Sequence, residues 1–346
     1  MADQKNLPQV EYRRLGKSGL RVSVPILGAM SFGSLKQMDW VIEEEEALPL
    51  LKYAWDRGVT TWDTANVYSA GVSEKIIAKA IKKYNIPRSK LVILTKCFGL
   101  VPDTLDIRAN DNPDLKNTRD YVNQSGLSRG AIFNAVENSL ARLETTYIDL
   151  LQIHRYDPNT PFEETMCALN DLVRSGKVRY IGASSMFAWQ LAEYNHVAEK
   201  NGWTKFVSMQ NHYSLMYREE EREVNKYCEY AGIGLIPWGP VAAGQLARPL
   251  SDQKDTARAV ASAALRTLSA ADEETIKRVE ALANKKGWTM AQVALAWIDG
   301  KCTSPIVGFS SPQRLEEAII PDKTLSPEDY KYLEEPYEVK TIRGHS

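Results

Sequence analysis

The alternation of short apolar runs with longer amphipathic stretches constrains the fold of this chain more than any other feature. The runs are rich in β-branched or bulky residues, as expected of strands, and the stretches that follow have helical periodicity. The eight predicted strands are Ile26–Ala29, Thr60–Asp63, Val92–Thr95, Leu150–His154, Tyr180–Ser184, Phe206–Gln210, Leu235–Trp238 and Ser304–Val307. The predicted helices between them include Glu43–Arg57, Ser73–Tyr84, Arg129–Leu143, Phe162–Ser175, Ala188–Lys200 and Glu219–Tyr230. Such alternation predicts parallel strands joined by crossover helices.

Eight strand-helix units favour a closed (β/α)8 barrel of the TIM type, an α/β fold, although periodicity alone leaves a doubly wound open sheet as an alternative. At 346 residues the chain is longer than most single-core domains, which leaves two domains or one large barrel. No linker rich in Gly and Ser divides it, so residues 1–346 are predicted to form one domain. Before the first strand, Tyr12–Leu15 and Leu20–Val24 flank a Gly-Lys-Ser-Gly turn, which predicts a β-hairpin at the barrel floor.

Two connections are much longer than the others, namely the loops after the third and seventh strands. They comprise Phe98–Leu127 and Val241–Ala271. Loops of this length in a compact domain are more often functional than idle. We therefore expect both loops to contribute to function.

The composition excludes several classes of function. With a formal net charge of -1 and 25% charged residues, the chain has no basic surplus for binding nucleic acid. Its four cysteines and four histidines show neither a C-x-x-C pair nor metal-finger spacing, which predicts a reducing, cytoplasmic location and no bound metal. The first residues lack the apolar core of a signal peptide. The longest uncharged run, Tyr230–Ala247, is broken by glycines and prolines, so no membrane association is predicted.

The common signatures of nucleotide-binding and redox enzymes are absent. A Rossmann fingerprint needs G-x-G-x-x-G between a strand and a helix, but the nearest match, Gly232–Pro237, precedes a strand and ends in proline. There is no Walker A loop and no H-E-x-x-H zinc helix. No tyrosine has a lysine four residues later, the pair used by short-chain dehydrogenases. A dinucleotide would therefore have to be held in another way.

Polar side chains follow three neighbouring predicted strands. Asp63 ends the second strand and Tyr68 comes five residues later, Lys96 follows the third strand, and His154 ends the fourth. In a barrel the chemistry takes place at the C-terminal ends of the strands, so these side chains are expected to converge. Taken singly, each has a common structural role, such as capping a loop or packing at the barrel rim.

Together, these four side chains suit the reduction of a carbonyl group by hydride, which generates negative charge on oxygen and needs a proton donor. A tyrosine has a pKa of about 10 and is a poor acid near neutral pH unless a positive charge stabilises its phenolate. Lys96 would supply that charge, Asp63 would keep the ammonium ionised and oriented, and a neutral His154 would orient the substrate oxygen. Tyr68 is therefore the predicted proton donor.

The spacing of Asp63 and Tyr68, together with Lys96 and with His154 in Q-I-H, resembles the catalytic tetrad of the aldo-keto reductase superfamily. The resemblance extends from R-L-G-K-S-G-L-R-V-S near the start to S-P-I-V-G-F-S-S-P-Q-R-L-E-E-A near the end, and it includes fungal NADPH-dependent members. It implies a (β/α)8 barrel that reduces aldehydes or ketones and binds NADP(H) across its mouth without a Rossmann motif.

The resemblance also implies a set of cofactor-binding residues. Ser184, Ser185 and Gln210 would hold the nicotinamide carboxamide, and Trp238 would stack on the nicotinamide ring. Arg314 suits the adenosine 2'-phosphate by its charge and fork geometry. The other residues implied at the cofactor site are Met30, Gly239, Val241, Gly244, Ser310, Ser311 and Glu317.

This sequence departs from the family pattern at several cofactor positions. Ser185 stands where Asn is common, Gly239 stands where Ser is common, and Gly308 and Ser310 stand where Lys or Arg is common. The contact of Ser185 with the carboxamide and the preference for NADP over NAD therefore stay open.

The implied substrate is a small-molecule carbonyl compound. Trp62, Met30, Phe98 and the loop Phe98–Leu127 are the candidate walls of its pocket, and plain packing is the other interpretation of Trp62. The sequence predicts neither the physiological substrate nor the oligomeric state. Nor does the C-terminal stretch Val339–Ser346 carry any functional prediction.

Two other functions stay open at this point. An alcohol or sugar dehydrogenase would use the same residues in the oxidative direction, with Tyr68 acting as a base. A non-catalytic, NADP-binding protein like the β subunits of potassium channels is the second alternative. Those subunits carry Asn at the position of His154, so the histidine favours an enzyme.

Overall fold

The computed structural model describes residues 9–253, 260–261 and 267–345. Within these ranges strands and helices alternate along the chain, as the periodicity predicts. The predicted loop Phe98–Leu127 lies wholly within the described residues, whereas the loop Val241–Ala271 lies partly outside them.

Eight parallel strands form the barrel. They are β3 (Ile26–Gly28), β4 (Thr61–Asp63), β5 (Val92–Cys97), β6 (Ile148–Ile153), β7 (Val178–Ser184), β8 (Ser208–Gln210), β9 (Gly234–Leu235) and β10 (Ile306–Val307), in the order β10-β3-β4-β5-β6-β7-β8-β9. Trp238, just after β9, forms a parallel bridge with Ile306 of β10, and the Ile306 N–H donates to the Pro237 carbonyl at 2.8 Å. This contact joins the two ends of the sheet, so the closed barrel is confirmed over the open alternative.

The predicted N-terminal hairpin is also confirmed. β1 (Glu11–Arg14) and β2 (Arg21–Val24) pair antiparallel ahead of the barrel. Side chains of this hairpin share an apolar cluster with inward-facing residues of the barrel strands. The cluster contains Leu15, Val22, Ile26, Leu94, Leu150, Ile236 and Ile306. The hairpin therefore packs against the lower half of the barrel interior.

Helices surround the barrel. They are α1 (Glu44–Asp56), α2 (Val72–Lys83), α3 (Arg129–Leu143), α4 (Phe162–Arg174), α5 (Ala188–Asn201), α6 (Val224–Ala231), α7 (Ala270–Lys286), α8 (Met290–Asp299), α9 (Pro312–Ala318) and α10 (Pro327–Glu334). Ser269, Thr289 and Ser326 begin α7, α8 and α10, and each accepts a hydrogen bond from a backbone N–H in the first turn. No helix within the described ranges is long and apolar enough to cross a membrane.

One predicted helix, Glu219–Tyr230, is divided in the structure. Glu219–Glu221 forms a separate 3-10 turn, and α6 begins only at Val224. The Glu219 carboxylate accepts hydrogen bonds from the Tyr337 hydroxyl and the Lys340 backbone N–H, both at 2.7 Å. The C-terminal segment therefore fixes this turn, a contact that local periodicity does not reveal.

The alternation of side chains along each strand separates an inner from an outer core. The outer core packs the barrel against α1 to α6 and is apolar. The inner positions change from apolar at the floor to polar near the C-terminal ends of the strands, where Asp63, Lys96, Gln152 and Gln210 are all buried. Gly182 makes room for this layer, because a Cβ there would lie 2.1 Å from the Ser208 hydroxyl oxygen.

Candidate active site

A buried ion pair joins the ends of β4 and β5. The Lys96 ammonium donates to an Asp63 carboxylate oxygen at 2.6 Å and to the Thr64 carbonyl oxygen at 2.8 Å. Burial is the largest single effect and lowers the pKa of Lys96, but Asp63 and Tyr68 together outweigh it and leave that pKa raised. Lys96 therefore stays protonated inside the barrel.

Two glutamine amides hold the second oxygen of Asp63. Gln152 Nε2 lies 3.1 Å from Asp63 Oδ1, and Gln210 Nε2 lies 2.9 Å from the same atom. Gln210 also donates to Gln152 Oε1 at 2.9 Å. Both carboxylate oxygens are thus engaged, which fixes the orientation of Asp63. Gln210, predicted to bind the cofactor carboxamide, has its amino group in this network and lines the cavity.

Tyr68 begins a 3-10 turn, Tyr68–Gly71, directly after β4. The turn is held by Ser69, whose hydroxyl accepts a hydrogen bond from the Ser34 N–H. The Lys96 ammonium lies 3.2 Å from the phenol oxygen of Tyr68. Burial raises the pKa of Tyr68 above its ordinary value, and the charge of Lys96 acts in the opposite direction. The phenol is therefore protonated at neutral pH, with a cation next to its oxygen.

His154 follows β6 and faces Tyr68. Its backbone N–H donates to the Cys97 carbonyl at 2.9 Å, and its ring meets the Tyr68 ring edge to face with centroids 6.0 Å apart. Burial, followed by the charges of Lys96 and Arg155, lowers the pKa of His154 well below its usual value. His154 is therefore neutral at physiological pH and can form a hydrogen bond without adding charge.

Asp63, Tyr68 and His154 line a cavity of about 830 Å³ at the barrel mouth. Lys96 has no exposed surface and acts on the cavity through Tyr68. The predicted cofactor residues on the cavity wall are Met30, Ser184, Gln210, Trp238, Gly239, Val241, Gly244, Ser310 and Arg314. The structure thus brings most of the predicted site together around one space.

Three predicted cofactor residues lie off the cavity wall. Ser311 is the N-cap of α9 and accepts a hydrogen bond from the Arg314 N–H, while Glu317 is half-exposed on the same helix. Ser185 is buried next to Gly344, and its hydroxyl has no hydrogen-bond partner among the described residues.

Two of the predicted walls of the substrate pocket, Trp62 and Phe98, lie away from the cavity, whereas Met30 lines it. Trp62 is fully buried in the outer core, and its indole N–H donates to the Val59 carbonyl at 2.8 Å. Successive strand residues face opposite sides, so Trp62 points outward because Asp63 points inward. Phe98 is partly buried and also packs against the outer core. Neither side chain lines the cavity, and both pocket-wall predictions are corrected accordingly.

Three flat rings stack beside the cavity. His212 lies between Trp238 and Tyr217, with ring centroids 4.2 Å and 4.3 Å away and planes within 8° and 10° of parallel. Burial, with a smaller effect of Arg343, lowers the pKa of His212 to about 3, so the middle ring is neutral. All three rings border the cavity, and the stack holds the Trp238 indole in a fixed plane.

The loop after β9 contains a run of left-handed turns. Its backbone is left-handed at Gly239, Ala242, Ala243 and Gly244, and all four residues line the cavity. Loops of this kind present successive N–H groups to an anion. Among the described residues there is no group of three or more His, Cys, Asp or Glu side chains that could hold a metal ion.

The cavity wall also contains charged residues that the sequence reasoning did not single out. Arg155 follows His154, while Arg248 lies in the long loop after β9. Lys340 and Arg343 come from the C-terminal stretch for which no function was predicted. The position of Arg155 directly after the predicted histidine was the one available signal. For Lys340 and Arg343 the sequence offered none.

The chain is similar in sequence to known proteins of one family. Residues 26–338 match the family described as the Aldo/keto reductase family. An aldo-keto reductase of Fusarium vanettenii is 53% identical over 100% of this chain and 96% of its own length. Versiconal hemiacetal acetate reductase of Aspergillus parasiticus is 51% identical over 96% of this chain and 98% of its own. A putative aryl-alcohol dehydrogenase of Saccharomyces cerevisiae is 46% identical over 96% of this chain and 99% of its own.

Proposed function

Because the chain belongs to the aldo/keto reductase family, we propose that it reduces aldehydes and ketones to alcohols with NADPH, and that Tyr68 donates the proton. The observation that carries this proposal is the contact of 3.2 Å between the Lys96 ammonium and the Tyr68 phenol. Carbonyl reduction needs a proton donor at the oxygen and a means of stabilising the donor after the proton has left. Tyr68 and Lys96 provide both.

Lys96 and Asp63 act as a unit in this proposal. As negative charge forms on the phenol oxygen, the ammonium next to it stabilises that charge in an environment from which water is excluded. Asp63 holds the ammonium in place and keeps it protonated. Gln152 and Gln210 fix the carboxylate in turn, so little rearrangement is needed when the proton moves.

His154 positions the substrate. Its neutral ring faces the same space as the Tyr68 phenol, so it can donate a hydrogen bond to the carbonyl oxygen. A charged imidazolium would compete with Tyr68 as the acid and would repel Lys96. The low pKa of His154 therefore leaves proton transfer to Tyr68.

NADPH, when bound, supplies the hydride. We assign Trp238 to the nicotinamide face, Ser184 and Gln210 to the carboxamide, and the loop residues Gly239–Gly244 to the pyrophosphate. Ser310 and Arg314 line the cavity after β10, and a guanidinium there suits the 2'-phosphate that distinguishes NADP from NAD. Met30 borders the same cavity.

The oxidative direction is a second candidate function, favoured by the relatives that are named as putative aryl-alcohol dehydrogenases. The same side chains serve both directions by microscopic reversibility. The ratio of reduced to oxidised cofactor in the cell would choose between the two directions.

We further propose that residues 1–346 act as one barrel domain in the cytosol on a small-molecule substrate. All four cysteines are free, as expected in a reducing compartment.

A panel of aromatic and aliphatic aldehydes and ketones, offered with NADPH and with NADH, tests the proposed function. We expect oxidation of NADPH, followed at 340 nm, with several members of the panel and slower oxidation of NADH. No carbonyl-dependent oxidation of either cofactor would refute the proposal.

A further inference from the structure

Arg155 is a half-buried cation without a carboxylate partner among residues 9–253, 260–261 and 267–345. Its guanidinium donates to the His154 carbonyl oxygen at 2.6 Å, which leaves most of its five N–H groups for other partners. Other half-buried arginines do have acidic partners. Arg88 lies 2.6 Å from Asp149, and Arg142 lies 2.6 Å from Glu74.

Arg155 lines the same cavity as the groups proposed to react. It lines the same cavity as Tyr68 and His154, and it immediately follows His154 in the chain. Its charge acts on both residues, since it is among the effects that lower the pKa of His154 and that oppose the rise at Tyr68. A carbonyl compound held at Tyr68 and His154 would therefore have Arg155 within reach of its remaining groups.

The phosphates of the proposed cofactor are not the anionic partner of Arg155. Arg248 and Arg314, the guanidinium groups available for phosphates, lie in segments that follow β9 and β10. Arg155 follows β6, which is four strands from β10 in either direction around the barrel. The segment after β10, to which we assign the 2'-phosphate, is therefore on the opposite side of the mouth from Arg155.

A second cation reaches the cavity from the C-terminal segment. The Arg343 N–H donates to the Tyr217 hydroxyl at 2.8 Å, and its guanidinium lies over the Tyr217 ring at 5.8 Å. Within the part of the chain that the structure describes, Arg343 has no acidic partner either. The next residue, Gly344, packs beside the Arg155 guanidinium. The two arginines thus make this side of the cavity electropositive.

We propose that Arg155 is a specificity-determining residue that binds an anionic group of the substrate, and that the preferred substrates are carbonyl compounds carrying a carboxylate. A carboxylate matches the planar fork of a guanidinium and would supply the counter-charge that the described residues lack. Arg343 adds a second positive charge near this group. The inference rests on the proposed reductase function and specifies its substrate class.

Paired substrates test the proposal by kinetics. We would measure kcat/KM with NADPH for 3- and 4-carboxybenzaldehyde and for the neutral carbamoylbenzaldehydes of the same shape. We expect the native protein to prefer the carboxylates by about tenfold, as for a partly desolvated ion pair. Arg155→Gln should reduce this ratio to near one, and Arg155→Lys should keep part of it. The ratio isolates recognition from any effect of Arg155 on Tyr68.

Arg314→Gln is the matched control. It removes an arginine from the cofactor side of the same cavity, so it should raise the KM for NADPH and leave the substrate ratio intact. The proposal would be overturned if the native protein and Arg155→Gln gave the same ratio of kcat/KM for carboxylate over carbamoyl substrates. It would also be overturned if Arg314→Gln reduced that ratio as much as Arg155→Gln did. Thermal unfolding of each variant identifies any that fails to fold.

A binding measurement separates this inference from the proposed function. Benzoate and benzamide, titrated by calorimetry into the protein saturated with NADP, require no turnover. Benzoate should bind about tenfold tighter than benzamide to the native protein and no tighter to Arg155→Gln. If the protein reduced neutral aldehydes but showed no preference for benzoate over benzamide, the inference about Arg155 would be refuted and the proposed function would stand. If the protein preferred benzoate but reduced no carbonyl compound, the proposed function would be refuted and the anion site at Arg155 would stand.

Discussion

The ammonium of Lys96 bridges Asp63 and Tyr68, at 2.6 Å from the carboxylate and 3.2 Å from the phenol oxygen. One cation therefore contacts two oxygens that require its charge at different times. The carboxylate requires a permanent counter-charge because it is buried, whereas the phenol requires one only while its proton is being transferred. The stability of the barrel interior and the chemistry of the site consequently depend on the same atom.

Tyr68→Phe removes the proposed proton donor and little else. We expect kcat for aldehyde reduction to fall about a thousandfold, because general acid catalysis at this position is lost. The dissociation constant for NADPH, measured by quenching of protein fluorescence, should stay close to the native value. Turnover near the native rate would eliminate Tyr68 as the acid.

Lys96→Met separates the two roles of the lysine. The variant leaves Asp63 buried without a counter-charge, so its free energy of unfolding should fall by about 3–5 kcal/mol. The double variant Asp63→Asn with Lys96→Met should regain part of that stability but none of the activity. Urea unfolding and single-turnover reduction measure the two effects. An active double variant would contradict the role of Lys96 in proton transfer.

Trp62 and Trp238 provide a test of the corrected pocket. Trp62→Phe removes the hydrogen bond to Val59 inside the outer core, and it should reduce the free energy of unfolding by about 1–3 kcal/mol. Its KM values should resemble those of the native protein. Trp238→Phe alters a cavity wall and should raise the KM for NADPH. If Trp62→Phe raised the KM for the carbonyl substrate more than Trp238→Phe did, Trp62 would have to be part of the pocket wall.

Two buried histidines predict how stability depends on pH. The pKa of His154 is lowered well below its usual value and that of His212 to about 3, chiefly by burial. The unfolded chain takes up protons at both residues near pH 6.5, and the folded protein does so only at much lower pH. The contribution of these two residues to the free energy of unfolding should therefore fall as the pH decreases from about 6.5 to 5, whereas His345, whose pKa is raised against burial by Glu220, contributes in the opposite direction.

The variant His212→Gln provides the control for this dependence. It removes one of the two groups, so its free energy of unfolding should fall less steeply over the same pH interval in urea titrations. Parallel slopes for the native protein and the variant would mean that His212 is already charged in the folded state.

The sequence predicts the barrel well because its periodicity is local. Strands and helices differ in their hydrophobic period, and the limits of α3 agree with the prediction at both ends. Asp63, Tyr68, Lys96 and His154 meet because the ends of adjacent parallel strands are neighbours, which the order of β4, β5 and β6 ensures. That inference needs only the strand order and no knowledge of side-chain packing.

The errors concern contacts that depend on direction or on distant parts of the chain. The sequence offers both a pocket wall and plain packing for Trp62, and because its neighbour Asp63 faces inward, the alternation along the strand selects packing. Lys340 and Arg343 reach the cavity through contacts with residues more than 100 positions earlier, such as Tyr217. No local pattern encodes contacts of that kind.

The C-terminal segment has a practical consequence for anyone preparing the protein. Lys340 and Arg343 line the catalytic cavity, so a purification tag fused after residue 346 would start within a few residues of the entrance. Such a tag would obstruct access or alter the local charge, and kinetic data from it would mislead. The hairpin Glu11–Val24, by contrast, lies at the far end of the barrel from this entrance.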